Sequence, residues 1–177
     1  MKRRFIYPFT PTWIDYPDNE SIAISVYMMG CNHRCYDCSN PDFIDENYSF
    51  GTKDFTIHKV YRELDKLCLR NKTNKIVFLG GDPIYRDNLE FIRNFLKDYS
   101  NVFEVCIYTG YSIDFIKDSN LKGFRFIKCG CFERDNKIVS EKTDEYLQFA
   151  STNQKLYDMN YNLLSDNGRY YFPKEVA

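Results

Sequence analysis

No stretch of this chain approaches the roughly 18 apolar residues that a membrane-spanning helix needs, so a bilayer span is not expected. Net charge is almost absent as well. The 24 Lys and Arg stand against 25 Asp and Glu, a formal −1, which removes the global electrostatic case for binding nucleic acid or an anionic membrane. There is no internal repeat, low-complexity tract or long linker. The opening Lys2-Arg3-Arg4 leads into Phe5-Ile6-Tyr7-Pro8 rather than a sustained apolar segment, which argues against a signal peptide. Seven cysteines, an odd number and partly clustered, fit a reducing compartment better than a secreted disulfide framework, so a cytoplasmic protein is expected. A chain of 177 residues reads as a single domain over 1–177, able to bury about 70% of its unfolded surface. Aromatics reach 18%, with 15 Tyr and 15 Phe; with no RNA-binding motif beside them, they read as packing rather than a base-stacking platform.

What the chain does have is Gly30-Cys31-Asn32-His33-Arg34-Cys35-Tyr36-Asp37-Cys38, a CxxxCxxC spacing directly after an apolar run at 22–29. Random placement of the cysteines would give that spacing roughly 0.01 times per chain. Three soft thiolates in one short loop suit an iron-sulfur cube, whose irons are each held by a cysteine sulfur. One iron then lacks a protein ligand, and an incompletely ligated centre can bind a substrate directly, whereas a four-cysteine site mainly transfers electrons or holds structure. The competing reading is structural zinc on Cys31, Cys35, Cys38 and His33. There His33 lies between two cysteines only four residues apart, which leaves little slack for a tetrahedron. Cys68 falls on an apolar helix face and reads as core. Cys129 and Cys131 face one side of a strand end; with only Cys106 as a possible further thiol, they read as unassigned rather than as a second metal site. His58 has no partner nearby in sequence and reads as a surface or satisfied histidine.

Strand and helix patterns alternate along the chain. Strands are expected at 21–29, 75–79, 102–108 and 124–128. Helices are expected at 56–70, with Ile57, Val60, Tyr61, Leu64, Leu67 and Cys68 in one stripe, at 87–99, with Leu89, Ile92, Leu96 and Tyr99 inward, and at 112–118. This order implies βαβ units and a mostly parallel sheet in an α/β fold too short for a full eight-fold barrel. From 132 to 160 the pattern is polar and irregular, with charges at Glu133, Arg134, Asp135, Lys137, Glu141, Lys142, Asp144 and Glu145. It reads as solvated loop, or as a segment that closes over a ligand or docks a partner. The cysteine loop, Gly80-Gly81-Asp82-Pro83, Tyr108-Thr109-Gly110-Tyr111 and Lys128-Cys129-Gly130 each follow a strand. In a parallel sheet they gather at one carboxyl edge, where α/β folds bind ligands. Paired glycines let the backbone approach a ligand closely, and Asp82 and Pro83 fix the exit turn. A branched side chain at Gly81 is expected to fill that ligand space and spare the cysteine loop.

Downstream of CxxxCxxC, the Gly80-Gly81-Asp82-Pro83 turn resembles the GGE/DP motif of the radical S-adenosylmethionine (radical SAM) enzymes, and the cysteine loop resembles their cluster loop. Asp82 in place of Glu, Tyr108-Thr109-Gly110-Tyr111, Ser151-Thr152-Asn153-Gln154-Lys155-Leu156-Tyr157, the opening Ile6-Tyr7-Pro8 and the block from Gly30 to Cys35 narrow the resemblance to the anaerobic (class III) ribonucleotide reductase activating enzymes. It spans nearly the whole chain. The resemblance implies an incomplete, open (β/α) barrel whose open side admits a protein substrate. It implies a [4Fe-4S] cluster on Cys31, Cys35 and Cys38, with the amino and carboxylate groups of S-adenosylmethionine (SAM) at the fourth position. Gly80, Gly81, Asp82 and Pro83 would bind the methionine end, with Asn40 as a further SAM contact and Thr109, Gly110 and Tyr111 on the nucleoside side. Lys128 would neutralise the SAM carboxylate or stand as a solvated strand-end lysine. The implied activity is reductive cleavage of SAM to a 5′-deoxyadenosyl radical that takes a hydrogen atom from a glycine of the partner reductase. Reduced flavodoxin or ferredoxin would donate the electron, and no side-chain acid or base is required. The chain departs from the pattern twice. The aromatic often found just before the third cysteine is Asp37, with Tyr36 one residue earlier, which leaves the adenine contacts open. The Asp-Gly pair of some members is Cys129-Gly130. The alternatives are a small radical SAM enzyme acting on a free metabolite, like the deazapurine-forming synthases, and a zinc-binding interaction module.

Overall fold

The structure is a computed structural model that describes residues 1–18, 22–139 and 145–173. Ser21, at the expected start of the first strand, and Glu141, Lys142 and Asp144 lie outside the described residues. In chain order the elements are β1 (Lys2–Ile6), β2 (Thr10–Thr12), β3 (Ala23–Met28), a 3-10 turn (Pro41–Ile44), β4 (Thr52–Thr56), α1 (Ile57–Asn71), β5 (Lys75–Gly80), α2 (Asp87–Tyr99), β6 (Glu104–Tyr108), α3 (Ile113–Asp118), β7 (Phe126–Cys129), a second 3-10 turn (Arg134–Asn136), β8 (Tyr146–Gln148), β9 (Lys155–Asp158) and β10 (Arg169–Tyr171). One eight-stranded sheet runs β4-β1-β3-β5-β6-β7-β9, with β2 also paired to β3; β8 and β10 form a separate pair. Pairings β3–β5, β5–β6 and β6–β7 are parallel, giving the parallel central sheet of an α/β fold that the alternation of elements implied, with antiparallel strands at its flanks.

Each helix forms where its sequence stops competing with the sheet. In α1 the Thr56 hydroxyl accepts from the Lys59 N–H at 3.4 Å, and Lys72 closes the far end in the left-handed region, satisfying groups that a helix end leaves unpaired. Val60, Leu64 and Cys68, one apolar stripe, are buried. In α2, Phe91, Ile92, Phe95 and Leu96 are fully buried, while Leu89 and Tyr99 only partly join the core. The inward face is thus rotated from the expected one toward the two phenylalanines. The Phe95 ring meets Phe78 of β5 edge-on at 5.1 Å, and truncating such a side chain costs roughly 3–5 kcal/mol. His58 is satisfied: its Nδ1 lies 2.8 Å from the Tyr99 hydroxyl.

Two regions depart from the expected elements. At the amino end, β1, β2 and β4 are antiparallel additions. In β1 only Phe5 is buried, and Arg4 pairs outward with Asp54 across the β1–β4 ladder at 2.8 Å, so the strand carries too few apolar residues to stand out. At the carboxyl end, the polar stretch is not all loop. Its Leu156 and Tyr157 are buried on β9, which pairs antiparallel with β7 and extends the sheet. Strand β6 starts at Glu104 rather than 102, and β7 at Phe126 rather than 124. Among the described residues, no helix is long and apolar enough to cross a membrane.

Candidate functional site

The carboxyl ends of the parallel strands open into one cleft of about 1130 Å³. Cys35, Cys38, Asn40, Gly80, Gly81, Asp82, Thr109, Gly110 and Lys128 all line it. Strand order alone thus assembles residues from four separate segments. Cys31, Pro83 and Tyr111, also expected at the site, do not line the cleft. Cys31 lies just behind it, its sulfur within 4.8 Å of ligand atoms on His33 and Asp82. Pro83 is buried, and Tyr111 turns its hydroxyl to the Asn32 side chain at 3.1 Å.

The centre of the arrangement is the Asp82 carboxylate, 1% exposed. One oxygen accepts from the Ile84 N–H and the Thr109 hydroxyl, both at 2.8 Å. The other accepts from the Gly110 N–H at 2.8 Å and the Thr109 hydroxyl at 3.0 Å, and lies 2.9 Å from His33 Nε2. Backbone bonds reinforce the knot: the Asp82 N–H donates to the Gly30 carbonyl at 2.8 Å. The buried Asn88 amide donates to the carbonyls of Met29 and Asp82 at 3.0 and 2.9 Å. A buried carboxylate is tolerated only when its lone pairs are filled in this way. Its consequence is mechanical: one side chain fastens the cysteine loop, the strand β5 turn and the strand β6 turn together. The sequence offered Asp82 and Thr109 as cofactor contacts; the structure adds that their side chains are spent on each other. His33, read from the sequence only as a possible zinc ligand, and Asn88, which sequence reasoning did not place at the site, complete the knot.

The diglycine meets a requirement inside the protein as well as the expected one at the cleft. A Cβ on Gly80 would stand 2.7 Å from the Met28 carbonyl oxygen, and one on Gly81 would stand 2.5 Å from the Phe43 and 2.6 Å from the Gly30 carbonyl oxygens. Gly80 also has φ +116, a region side chains rarely adopt. The close approach is therefore to the protein's own backbone, at the base of the cysteine loop. A branched side chain at Gly81 would displace that loop instead of sparing it.

The loop suits an iron-sulfur cluster. Its three thiols are half-buried, Cys35 and Cys38 lining the cleft with Cys31 outside its lining. The His33 N–H points to the Cys31 sulfur and the Asn40 N–H to the Cys38 sulfur, each at 3.4 Å, the kind of amide donation that stabilises and tunes cluster sulfurs. Burial pushes the bare Cys31 thiol up to about 11, so a metal's positive charge is needed to release its proton. His33, the fourth ligand of the competing zinc reading, has its Nε2 2.9 Å from Asp82. Of the other thiols, Cys106 and Cys129 are buried and pushed upward, chiefly by burial. Cys68 lies in the core, as expected.

Lys128 stands at the cleft with its ammonium 4.9 Å from the Tyr108 ring centroid. Burial lowers it from 10.5 to about 8, and it has no carboxylate in salt-bridge reach among the described residues. The segment 151–157 works from behind: the Gln154 side chain donates to the Gly130 carbonyl at 3.1 Å and Asn153 to the Cys131 carbonyl at 2.9 Å, fixing the turn after β7.

The profile of a family described as a 4Fe-4S single cluster domain matches residues 20–157, which include all the motifs at the cleft. The anaerobic ribonucleoside-triphosphate reductase-activating protein of Enterobacteria phage T4 is 26% identical over 156 residues, covering 86% of this chain and 90% of that protein. Among solved structures, QueE from Escherichia coli is similar with a TM-score of 0.44 and 16% identity over 62% of this chain; the match covers 53% of that structure. The chain belongs to the 4Fe-4S single cluster domain family, whose description names a [4Fe-4S] cluster as the cofactor.

Proposed function

We propose that this protein, a single cytoplasmic domain over 1–177, activates an anaerobic (class III) ribonucleotide reductase by forming a glycyl radical on it. The observation that carries the reading is the convergence of the cysteine loop and the β5 and β6 turns on one open cleft. It occurs in a chain similar, over 86% of its length, to a protein named for activating an anaerobic reductase. A cleft of about 1130 Å³ exceeds the roughly 300–1,000 Å³ of an ordinary small-molecule site, leaving room for part of a protein substrate beside SAM.

A [4Fe-4S] cluster held here would supply the one-electron chemistry for cleaving SAM and taking hydrogen from the glycine, with reduced flavodoxin or ferredoxin as electron donor. Cys31, Cys35 and Cys38 hold the cluster. Gly80, Gly81 and Asp82 would meet the methionine end through their backbone, since the Asp82 carboxylate is already filled, while Pro83, buried and outside the cleft lining, would hold the turn. Lys128, with no carboxylate in salt-bridge reach among the described residues, would place its ammonium for the SAM carboxylate. The side-chain amide of Asn40, which has no hydrogen-bond partner among the described residues, faces the same cleft. Thr109 and Gly110 would shape the nucleoside side, and Tyr111, outside the cleft lining, would act through its bond to Asn32. Shielding by the cleft walls keeps water from the radical.

The test is electron paramagnetic resonance on reduced, cluster-loaded protein mixed with SAM and a class III reductase under anaerobic conditions. A carbon-centred doublet on the reductase supports the reading. SAM cleavage without a doublet on any class III reductase tried would favour a free metabolite as substrate.

A further inference from the structure

We propose that Asp15, with Trp13 and Ile14 beside it, docks the glycine-bearing segment of the protein substrate, its carboxylate accepting a backbone N–H of that segment. This rests on the protein-substrate reading above and adds the residues that recognise a peptide. Asp15 follows β2, is half-buried and lines the cleft. Its Oδ2 accepts from the Ser25 hydroxyl at 2.7 Å and from the Thr12 hydroxyl at 2.9 Å. Two bonds thus fix the carboxylate, while Oδ1 takes no hydrogen bond and the group no ion pair among the described residues. A fixed carboxylate with one oxygen unfilled favours a donor that a ligand brings with it.

The height of Asp15 in the fold separates it from the turns that would meet SAM. Its partner Ser25 is level with Val77, three residues before Gly80, which is about 10 Å short of the diglycine turn at the rise of a strand. Tyr27, Leu79, Tyr108 and Lys128, which also line the cleft, occupy the row between. The next residue, Tyr16, is buried with its ring edge-on to Phe126 of β7 at 5.8 Å, so the segment after β2 crosses the sheet interior.

Trp13 and Ile14 line the same cleft yet are 66% and 76% exposed. Tyr146, Phe149 and Phe172, around β8 and β10, line it as well. Apolar walls around one fixed acceptor suit an extended chain segment, which brings side chains for the walls and main-chain N–H groups for the carboxylate. A small free metabolite held at the strand ends would leave Trp13 and Ile14 in water.

The test is glycyl-radical formation by reduced, cluster-loaded protein as a function of class III reductase concentration, followed by electron paramagnetic resonance at saturating SAM. Asp15→Ala should raise the apparent KM for the reductase roughly tenfold or more, because a hydrogen bond to a charged acceptor is lost. Asp15→Asn should recover most of that loss, since its amide N–H can donate to the Thr12 and Ser25 hydroxyls and leave its oxygen for the substrate. Trp13→Ala, at an exposed position, should raise the same KM roughly fivefold or more, and keeps the test decisive if Asp15→Ala loses iron. The KM for SAM should stay within about twofold in each variant. Ser25→Ala leaves Thr12 to hold the carboxylate and should shift the reductase KM less than Asp15→Ala does. An equal shift would mean that Asp15 only braces β2, and would overturn the proposal. So would a reductase KM within about twofold of wild type for Asp15→Ala or Trp13→Ala, or a rise in the KM for SAM instead. If wild type forms a radical and the variants match it, the docking alone fails; if wild type forms none on any class III reductase, the protein-substrate reading fails first.

Discussion

Replacing Asp82 with Ala should be among the most damaging single changes at the site, and the structure sets its size. The carboxylate takes the Ile84 N–H, the Gly110 N–H, the Thr109 hydroxyl and the His33 ring, all within 2.8 to 3.0 Å. Gly110 and His33 are half-buried and recruit water after the change. Ile84 and Thr109, 1% and 3% exposed, cannot. Two stranded buried donors at roughly 1–3 kcal/mol each give a loss of about 4 kcal/mol, a large share of the 5–15 kcal/mol typical of a whole domain. Asp82→Asn keeps one oxygen for Ile84 and Thr109 but turns a second donor toward Gly110, so about 2 kcal/mol is expected. Urea unfolding of the cluster-free protein, extrapolated to water, reads both values. Iron content should fall in the same order, because the cysteine loop loses its anchor. An Asp82→Ala variant within about 0.5 kcal/mol of wild type, or an Asn variant worse than Ala, would refute the idea that this carboxylate ties the three segments together.

Three further outcomes follow from the same geometry. Gly81→Ala should lower both stability and iron per chain, since its Cβ would meet two backbone carbonyls at 2.5 and 2.6 Å; unchanged iron would place the clash elsewhere. Ala at Cys31, Cys35 or Cys38 should abolish the brown cluster absorbance, whereas Cys68→Ser and Cys129→Ala should leave iron content unchanged. Lys128 sits near 8 when folded and 10.5 when unfolded, so between those values the unfolded chain binds the extra proton. Wild-type stability should therefore gain on Lys128→Met as pH rises from 8 to 10.5, by up to about 3 kcal/mol in parallel unfolding curves. Curves that stay parallel throughout would mean the ammonium is solvated.

Much of the site was legible because its signals are local. Cysteine spacing announces a metal loop, and a glycine pair after an apolar run announces a strand end. The parallel order of the strands then places both at one edge. The reason for the glycines was not legible, because the Gly81 contacts are to Phe43 and Gly30, residues that only the folded chain brings near. The same holds for His33, whose pairing with Asp82 spans 49 residues and leaves no trace in spacing. Strands β1 and β9 were hidden for another physical cause. Each is an antiparallel strand flanking the parallel core, with charged residues such as half-buried Arg4 and exposed Lys155, so neither shows the continuous apolar run of a strand buried on both faces.

The central claim is that the radical made here takes its hydrogen from a glycine of a protein. It is tested most directly by preparing a class III reductase with deuterated glycine and running one anaerobic turnover with reduced, cluster-loaded protein and SAM. The 5′-deoxyadenosine should then be analysed by mass spectrometry. Deuterium in the 5′-deoxyadenosine, in proportion to the glycyl radical formed, is the predicted result; 5′-deoxyadenosine free of deuterium while the reductase gains a radical would contradict it.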